Sequence, residues 1–464
     1  MKKYLAILLA LVLVIGLAAC GGTTATTTTD QQTTTTTTNN EPATTNTEPA
    51  AEGEPAAATE ITLWTYPIGN WGNEEAVKAL TDAFTAETGI KVTVEYLTYA
   101  DGDDKVNTAI TAKAAPDLIM EGPERLVANW GANGYMVDIS DLFDDTDKAE
   151  LNAAALAACF TDAGAAYEYP LVMTAHCMAI NWTAFVEAGA DQYVDRDSHT
   201  WTTQQYLDAC AALYAYYGDT FSGIYCSGQG GDQGTRALVN NLYGGTFTTA
   251  DHSAYTWDDP LNVKALKTIY DLQGVEYDPS INGGEEIANF YNGIFKMAYC
   301  WNIAQQLNPN SAGTGAGLTA TGDEIVFMAF PADGDPALQG GIWGFGIFDN
   351  GDAARIEAAK QFIKYFCDSE HTADAVRTAN YFAARSAAEG TDLSAIWADN
   401  EIMNEYTKLM PYLGDYYQVT KGWAQARTAW WNMLQQVGAS DGSEEAIAAA
   451  VASFAAEANA AAQG

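Results

Sequence analysis

Ile61-Thr62-Leu63-Trp64-Thr65, then Ile90-Lys91-Val92-Thr93-Val94-Glu95-Tyr96, then Asp117-Leu118-Ile119-Met120 are the runs that decide the fold. The first two alternate in character with a period of two, and the third is a short apolar run between Pro116 and Gly122, so all three read as strands. Between the first and second, Asn73 is placed to cap a helix with Glu74 and Glu75 in its first turn, Val77, Leu80 and Phe84 on one face and Gly89 as its stop. Between the second and third, Val106 and Ile110 mark another helical stretch that ends before Pro116. Strand, helix, strand, helix, strand predicts a parallel sheet with helices on its faces.

The pattern continues downstream. Thr200 to Tyr217 reads as a helix, with Tyr206, Ala209, Cys210, Leu213 and Tyr217 at spacings of three and four, followed by a short strand at Ile224-Tyr225-Cys226. Leu261 to Leu272 is a helix behind Pro260, and Ile325 to Phe330 and Ile342 to Phe348 read as strands. Ile356, Ala359, Ile363 and Phe366 stripe a helix that packs on a sheet, and the Ala-rich stretch Glu444 to Ala461 closes the chain as a helix.

Upstream lies a different kind of sequence. Met1-Lys2-Lys3 precedes an apolar run from Leu5 to Leu17, and Leu17-Ala18-Ala19-Cys20 follows at once. The run is too short to span a bilayer, which takes roughly 20 apolar residues. It resembles a bacterial lipoprotein signal, which implies that residues 1–19 are removed and Cys20 is lipidated as the new N-terminus. From Gly21 to Glu60 the chain holds no Tyr, Trp, Phe, Leu, Ile or Val and cannot bury enough surface to offset its conformational entropy. Residues 20–60 are therefore expected to be a lipidated Cys and a disordered Thr-rich tether with a reach of about 35 Å.

Charge narrows the partners. The formal balance is −39, and removal of Lys2 and Lys3 leaves 19 basic against 60 acidic side chains. Phosphate polymers are repelled by such a field, so nucleic acid is excluded as a partner, while neutral or cationic ligands are favoured. Cys159, Cys177, Cys210, Cys226, Cys300 and Cys367 are widely spaced without a C-x-x-C pair, and several stand in apolar patterns, which favours buried free thiols over zinc or thioredoxin chemistry. His176, His199, His252 and His371 form no H-E-x-x-H motif. Gly228-Gln229-Gly230-Gly231-Asp232-Gln233 fails the dinucleotide fingerprint, because Gln233 stands where the third Gly is needed. A cleft loop presenting Asp232 or Gln233 to a ligand and a plain surface loop fit that stretch equally well. Gly438-Ala439-Ser440-Asp441-Gly442 has the spacing of a nucleophile elbow but follows a helical pattern, with no His after it. No cofactor and no metal are called for.

Gly89-Ile90-Lys91-Val92-Thr93-Val94-Glu95, Pro116-Asp117 with Glu124-Arg125-Leu126, Tyr169-Pro170-Leu171 through Asn181, Ile294-Phe295-Lys296-Met297-Ala298, Gly340-Gly341-Ile342-Trp343-Gly344, Ala354 to Phe366 and Trp423 to Ala429 form an ordered set over nearly all of residues 61–464. In that order they resemble the extracellular solute-binding proteins of bacterial ABC sugar importers, the maltose-binding type (family 1). The resemblance implies an α/β, two-lobed periplasmic-binding-protein-like (type II) fold with a hinge of several crossing segments. It places residues 61–172 plus about 341–390 in a first lobe and about 173–340 plus about 391–464 in a second. The Tyr169 to Asn181 segment resembles the long strand that leaves the first lobe for the second, near Thr174. It also implies a monomer that is not an enzyme, captures an extracellular carbohydrate, an oligosaccharide in particular, and delivers it to the transmembrane subunits of an ABC permease.

Candidate ligand-binding residues come from strand ends, where open α/β sheets bind ligands, and from one helix. Glu121, Glu124 and Arg125 follow the third strand; Tyr66 and Trp71 follow the first; Trp301 and Asn302 follow the strand Lys296 to Cys300; Trp343 lies at a crossing. On the helix, Trp423, Arg427, Trp430 and Leu434 fall on one face at 100° per residue. That face is either a core stripe with Arg427 at its edge or a sugar platform; in the family, a Trp and an Arg four residues later on this helix contact sugar, which favours the platform for Trp423 and Arg427. Where the family's first-strand loop bears charged and amide sugar ligands, this chain has Pro67-Ile68. The alternatives to a receptor are a surface glycoside hydrolase using Glu121 and Glu124, and a non-transporting carbohydrate-binding adhesin.

Overall fold

The computed structural model describes residues 57–99, 101–227, 232–308 and 312–463. The signal peptide, Cys20 and the tether up to residue 56 lie outside them. Among the described residues no helix is long and apolar enough to cross a membrane.

The chain opens with β1 (Glu60–Thr65), α1 (Glu74–Thr88), β2 (Lys91–Tyr96), α2 (Gly102–Thr111) and β3 (Leu118–Glu121), and β1 pairs in parallel with both β2 and β3. Alternation of side chains sends Ile61, Leu63 and Thr65 into the core. The Asn73 side chain accepts the N–H of Ala76 and caps α1, and Gly89 ends the helix at φ +76°, as the sequence predicts. Asp117 is 2% exposed and fixes the entry to β3 by accepting the backbone N–H of Thr62 (2.7 Å) and the Arg355 Nε (2.8 Å).

The next strands change sheets. β4 (Tyr169–Ala175) belongs to the first sheet, and after the single residue His176, β5 (Cys177–Asn181) belongs to another, so the long strand expected over 169–181 is broken in two. There follow α3 (Thr203–Tyr217), β6 (Ser222–Ser227), α4 (Asp232–Tyr243), α5 (Pro260–Asp271), β7 (Val275–Asn282), α6 (Gly283–Tyr291), β8 (Met297–Trp301) and β9 (Ile325–Met328). β5 lies between β8 and β9, antiparallel to both, and β6 pairs in parallel with β7. β7, with Pro279 inside it, has no clear period and was not predicted from sequence.

β10 (Gly340–Ile347) returns to the first sheet between β3 and β4, antiparallel to both. α7 (Ala353–Cys367) follows and packs on that sheet, and β11 (Phe382–Ala383) completes the order β11-β4-β10-β3-β1-β2. Phe84, Trp71, Phe345, Phe362 and Phe366 form the aromatic core between sheet and helices, with ring centroids 4.7–6.1 Å apart. The chain ends in α8 (Trp423–Gly438) and α9 (Glu444–Gln463).

Three segments run side by side where the chain passes between sheets. The His176 N–H donates to the Gln339 carbonyl (2.7 Å), Gly340 pairs with Ala175, and Leu338 exchanges backbone bonds with Tyr412 (2.8 Å) and Gly414 (2.9 Å). The five cysteines whose side chains are described, Cys159, Cys177, Cys210, Cys300 and Cys367, carry no disulfide.

Candidate ligand-binding cleft

A cavity of about 580 Å³ lies between loops from the two groups of strands. Pro67 to Asn70, Tyr99, Glu121, Glu124, Arg125, Trp343 and Tyr381 line it from the first sheet, and Ile287, Cys300, Asn302, Gln305, Asn308, Gln418 and Arg427 from the other side, with His176 between them.

Its first wall is built on the end of β3. Glu121 is 1% exposed, and Pro123 starts a helical segment, continued to Gly131, whose first turn carries Glu124 and Arg125 back over it. The Arg125 guanidinium donates to Glu121 Oε1 (3.0 Å), to Asp103 Oδ1 (2.8 Å) and to Glu124 Oε1 (3.4 Å), and lies 5.3 Å from the Tyr66 ring and 5.6 Å from the Tyr99 ring. Burial pushes the Glu121 carboxyl up, to about 8, against the lowering pull of Arg125, and Glu124 adds to the rise. Burial acts the same way on Asp103, but there the charge and hydrogen bond of Arg125 and the hydroxyl of Tyr66 win and hold it below the usual range. Two carboxyls on one arginine thus move in opposite directions.

Aromatic rings complete this wall. Trp343 stacks on Tyr381 at 4.8 Å with planes 22° apart, and Tyr99, 39% exposed, stacks on Tyr66 at 5.2 Å. The loop beneath them is held close: Gly69 has φ +52°, and a Cβ there stands 1.8 Å from the Ala379 carbonyl oxygen.

The opposite wall sets amides and a guanidinium among the apolar side chains of Ile287, Ala304 and Leu307. Asn302 caps the helix Ile303–Leu307 by accepting the Ala304 N–H (2.8 Å), which commits its Oδ1 and leaves its amide nitrogen for other partners. Arg427 lies on α8 with its guanidinium 5.6 Å from the Trp431 ring. Across the cleft, the Tyr416 hydroxyl donates to Glu124 Oε2 (2.6 Å).

Of the residues singled out from sequence, Glu121, Glu124, Arg125, Asn302, Trp343 and Arg427 line one cavity. Tyr66 lies directly beneath it, fully buried, with its hydroxyl 2.5 Å from Asp103. Trp71, Trp301 and Trp423 do not reach it. Trp71 is buried against Phe345 and Phe366 and donates to the Ala375 carbonyl (3.2 Å). Trp301 is buried against Phe290 and Tyr291, with its indole N–H on Gln306 (2.9 Å), because alternation along β8 gives the cavity to Cys300 and Asn302. Trp423, 4% exposed, is enclosed by Phe247, Tyr255, Tyr417 and the guanidinium of Arg236 at 4.8 Å, so the core-stripe alternative describes its surroundings. The side chains of Asp232 and Gln233 lie outside the described residues. Tyr99, Tyr381, His176 and Gln418 were missed; Tyr99 follows β2 and was open to the same strand-end rule that found Glu121.

The sequence profile of a family described as bacterial extracellular solute-binding protein matches residues 79–405. The fold is similar to that of the GacH receptor of Streptomyces glaucescens, solved unliganded and with acarbose: 18% identity, 85% of this chain, 97% of that chain and a TM-score of 0.65. It is similar to a cyclic alpha-maltosyl-1,6-maltose binding protein of Arthrobacter globiformis, at 20% identity, 87% and 100% coverage and a TM-score of 0.66. A Thermus thermophilus maltotriose binding protein bound with maltotriose matches at 16% identity, 86% and 99% coverage and a TM-score of 0.62. No curated protein sequence matches the chain significantly.

Proposed function

We propose, from the premise that the chain belongs to the bacterial extracellular solute-binding proteins, that it captures a carbohydrate, an oligosaccharide in particular, between two lobes and hands it to an ABC permease. The observation that carries this reading is the 580 Å³ cavity, which combines aromatic rings with amide, carboxyl and guanidinium groups from two separate sets of strands. Sugar faces present C–H groups that rest on rings such as Trp343 and Tyr99, while hydroxyls bond to groups such as Asn302 and Arg427. Glu121 in its protonated form offers a donor, a role an ionised carboxylate lacks.

The lobes in this reading are residues 61–172 with about 341–390, and about 173–340 with about 391–464. No bond is made or broken; the ligand stabilises the closed arrangement by binding it more tightly than the open one. A hydrolase is disfavoured because Glu121 and Glu124 stand on the same wall and both pair with Arg125, whereas glycosidases set their carboxyls on either side of the scissile bond. Calorimetric titration with a panel of neutral oligosaccharides tests the proposal. Saturable binding that is weakened in Arg427→Ala is expected; absence of saccharide binding overturns it.

Lipidation of Cys20 belongs to the same proposal. A lipid and a Thr-rich leash hold the receptor on the outer face of the cytoplasmic membrane, at high effective concentration over its permease. Cys20→Ala is expected to leave sugar affinity unchanged while cells release the protein and take up less sugar. Undiminished uptake with the released protein contradicts the anchoring role.

A further inference from the structure

Glu286 stands in the first turn of α6, fully buried behind the second wall of the cleft. Its Oε1 accepts the N–H of Tyr299 (2.7 Å) and its Oε2 the N–H of Cys300 (3.1 Å). Successive N–H groups of a regular strand point to opposite edges, so two neighbours on one carboxylate mark a break in the pleat. The pairing of β8 with β5 is irregular at that step: Ala298 stands opposite Ala179 and Trp301 opposite Cys177, which sets Tyr299 and Cys300 together against the single residue Met178. This is a β-bulge. β8 lies at the edge of its three-stranded sheet, and the Glu286 carboxylate takes up N–H groups for which no neighbouring strand is present there.

The bulge decides which side chains reach the cavity. Without it, the register of Ala298 with Ala179 would carry on to put Cys300 opposite Cys177; the extra residue puts Trp301 there instead. A slip of one residue exchanges the two faces of a strand. With the bulge in place, Trp301 packs against Phe290 and Tyr291, while Cys300 and Asn302 line the cavity. Ile287, the next residue of α6, lines it as well. Glu286 thus clamps together two elements that build one wall, at the step where the β8 ladder is interrupted.

We infer that Glu286 is a positioning residue for ligand capture: by holding the bulge of β8, it aims Cys300 and Asn302 into the cleft. The inference rests on the reading of this cleft as a sugar site, and Glu286 itself touches no ligand. Glutamine at this position supplies one acceptor oxygen and sets its NH₂ against the other backbone N–H, and aspartate is one methylene too short to serve both.

Two measurements test it. Labelling of Cys300 with N-ethylmaleimide, followed peptide by peptide in mass spectrometry, reports on the bulge with no sugar present. In Glu286→Gln the rate at Cys300 is expected to rise by about threefold or more as the strand end loosens, and in Glu286→Asp by less. Calorimetry with maltotriose, cellotriose and xylotriose reads the consequence for binding. Asn302→Ser keeps a helix cap and removes the amide nitrogen. Glu286→Gln and Asn302→Ser are each expected to weaken sugar binding by about fivefold, and the double variant by no more than the stronger single one, because Glu286 acts through the wall that carries Asn302. A carboxylate that only stabilised the fold would add its effect to that of Asn302. Labelling or sugar affinity equal to the parent's in a folded Glu286 variant, additive losses in the double variant, or failure of both Glu286 variants to fold overturns the inference. Failure of the parent to bind any of these sugars counts against the receptor reading instead, and the labelling then decides the role of Glu286 by itself.

Discussion

Trp423 and Arg427 stand four residues apart on α8, yet the indole is enclosed in an aromatic core and the guanidinium lines the cleft. Helical spacing places two side chains on one face; it does not say where along the helix that face stops being core. Here Phe247, Tyr255 and Tyr417 close over Trp423 itself, while Arg427, one turn on, is half-buried at the edge of that core and reaches the cleft. The two substitutions are therefore expected to separate. Trp423→Ala is expected to destabilise the protein by about 3–5 kcal/mol, read from urea unfolding, as for other buried aromatic truncations. Arg427→Ala is expected to melt with the parent and weaken ligand binding by about 1.5–3 kcal/mol, the range for a hydrogen bond to a charged group.

Buried carboxyls give a second prediction at this scale. Glu286 is fully buried, and burial raises its carboxyl from 4.5 to about 8, although the N–H groups of Tyr299 (2.7 Å) and Cys300 (3.1 Å) pull it down. Glu168, also fully buried, has no hydrogen-bond partner on either oxygen, and burial lifts it well above the usual range. A raised carboxyl holds its proton more tightly folded than unfolded. Its stabilising effect is thus complete below about pH 4.5 and is lost as pH rises towards 8. Urea unfolding is expected to show greater stability at pH 5 than at pH 8, each group contributing at most about 1.4 kcal/mol per pH unit. Glu286→Gln is expected to flatten that slope.

Among elements, the strand ends illustrate what a pattern can and cannot tell. β3 is apolar between Pro116 and Gly122, so its end, and with it Glu121, Glu124 and Arg125, was legible. β8 was legible as a strand, but its polarity was not: Tyr299, Cys300 and Trp301 are all compatible with a core, and only packing of Trp301 on Phe290 turned Cys300 to the cavity. The Pro67 to Asn70 loop depends on contact with a segment far downstream in the chain, since Gly69 meets the carbonyl of Ala379. Gly69→Ala is expected to lower stability by about 1–3 kcal/mol through the strained φ and the displaced carbonyl, and to weaken ligand binding as the loop shifts. Thermal unfolding alongside calorimetry checks both effects.

Across the whole molecule, the walls of the cleft are tied by the Tyr416 hydroxyl on Glu124 and backed by three crossing segments bonded to one another. In a receptor that works by closing, a bond between walls favours the closed arrangement. Tyr416→Phe is expected to reduce apparent ligand affinity by up to about tenfold, the equivalent of one net hydrogen bond, and to raise the radius of gyration of the unliganded protein in solution scattering. An unchanged affinity and radius would show that the bond does not bias closure.

The sequence by itself determined the parallel β1-β2-β3 unit, its capped helix and the strand-end carboxylates, because periodicity, caps and turn residues act over a few neighbours. It also carried the ordered motifs from which the family was legible. Tertiary structure decided which tryptophans became core, where the 169–181 strand broke, and that Tyr99, Tyr381, His176 and Gln418 share a cavity with Arg427. Those outcomes depend on contacts between residues hundreds of positions apart, and a local pattern carries no record of such contacts.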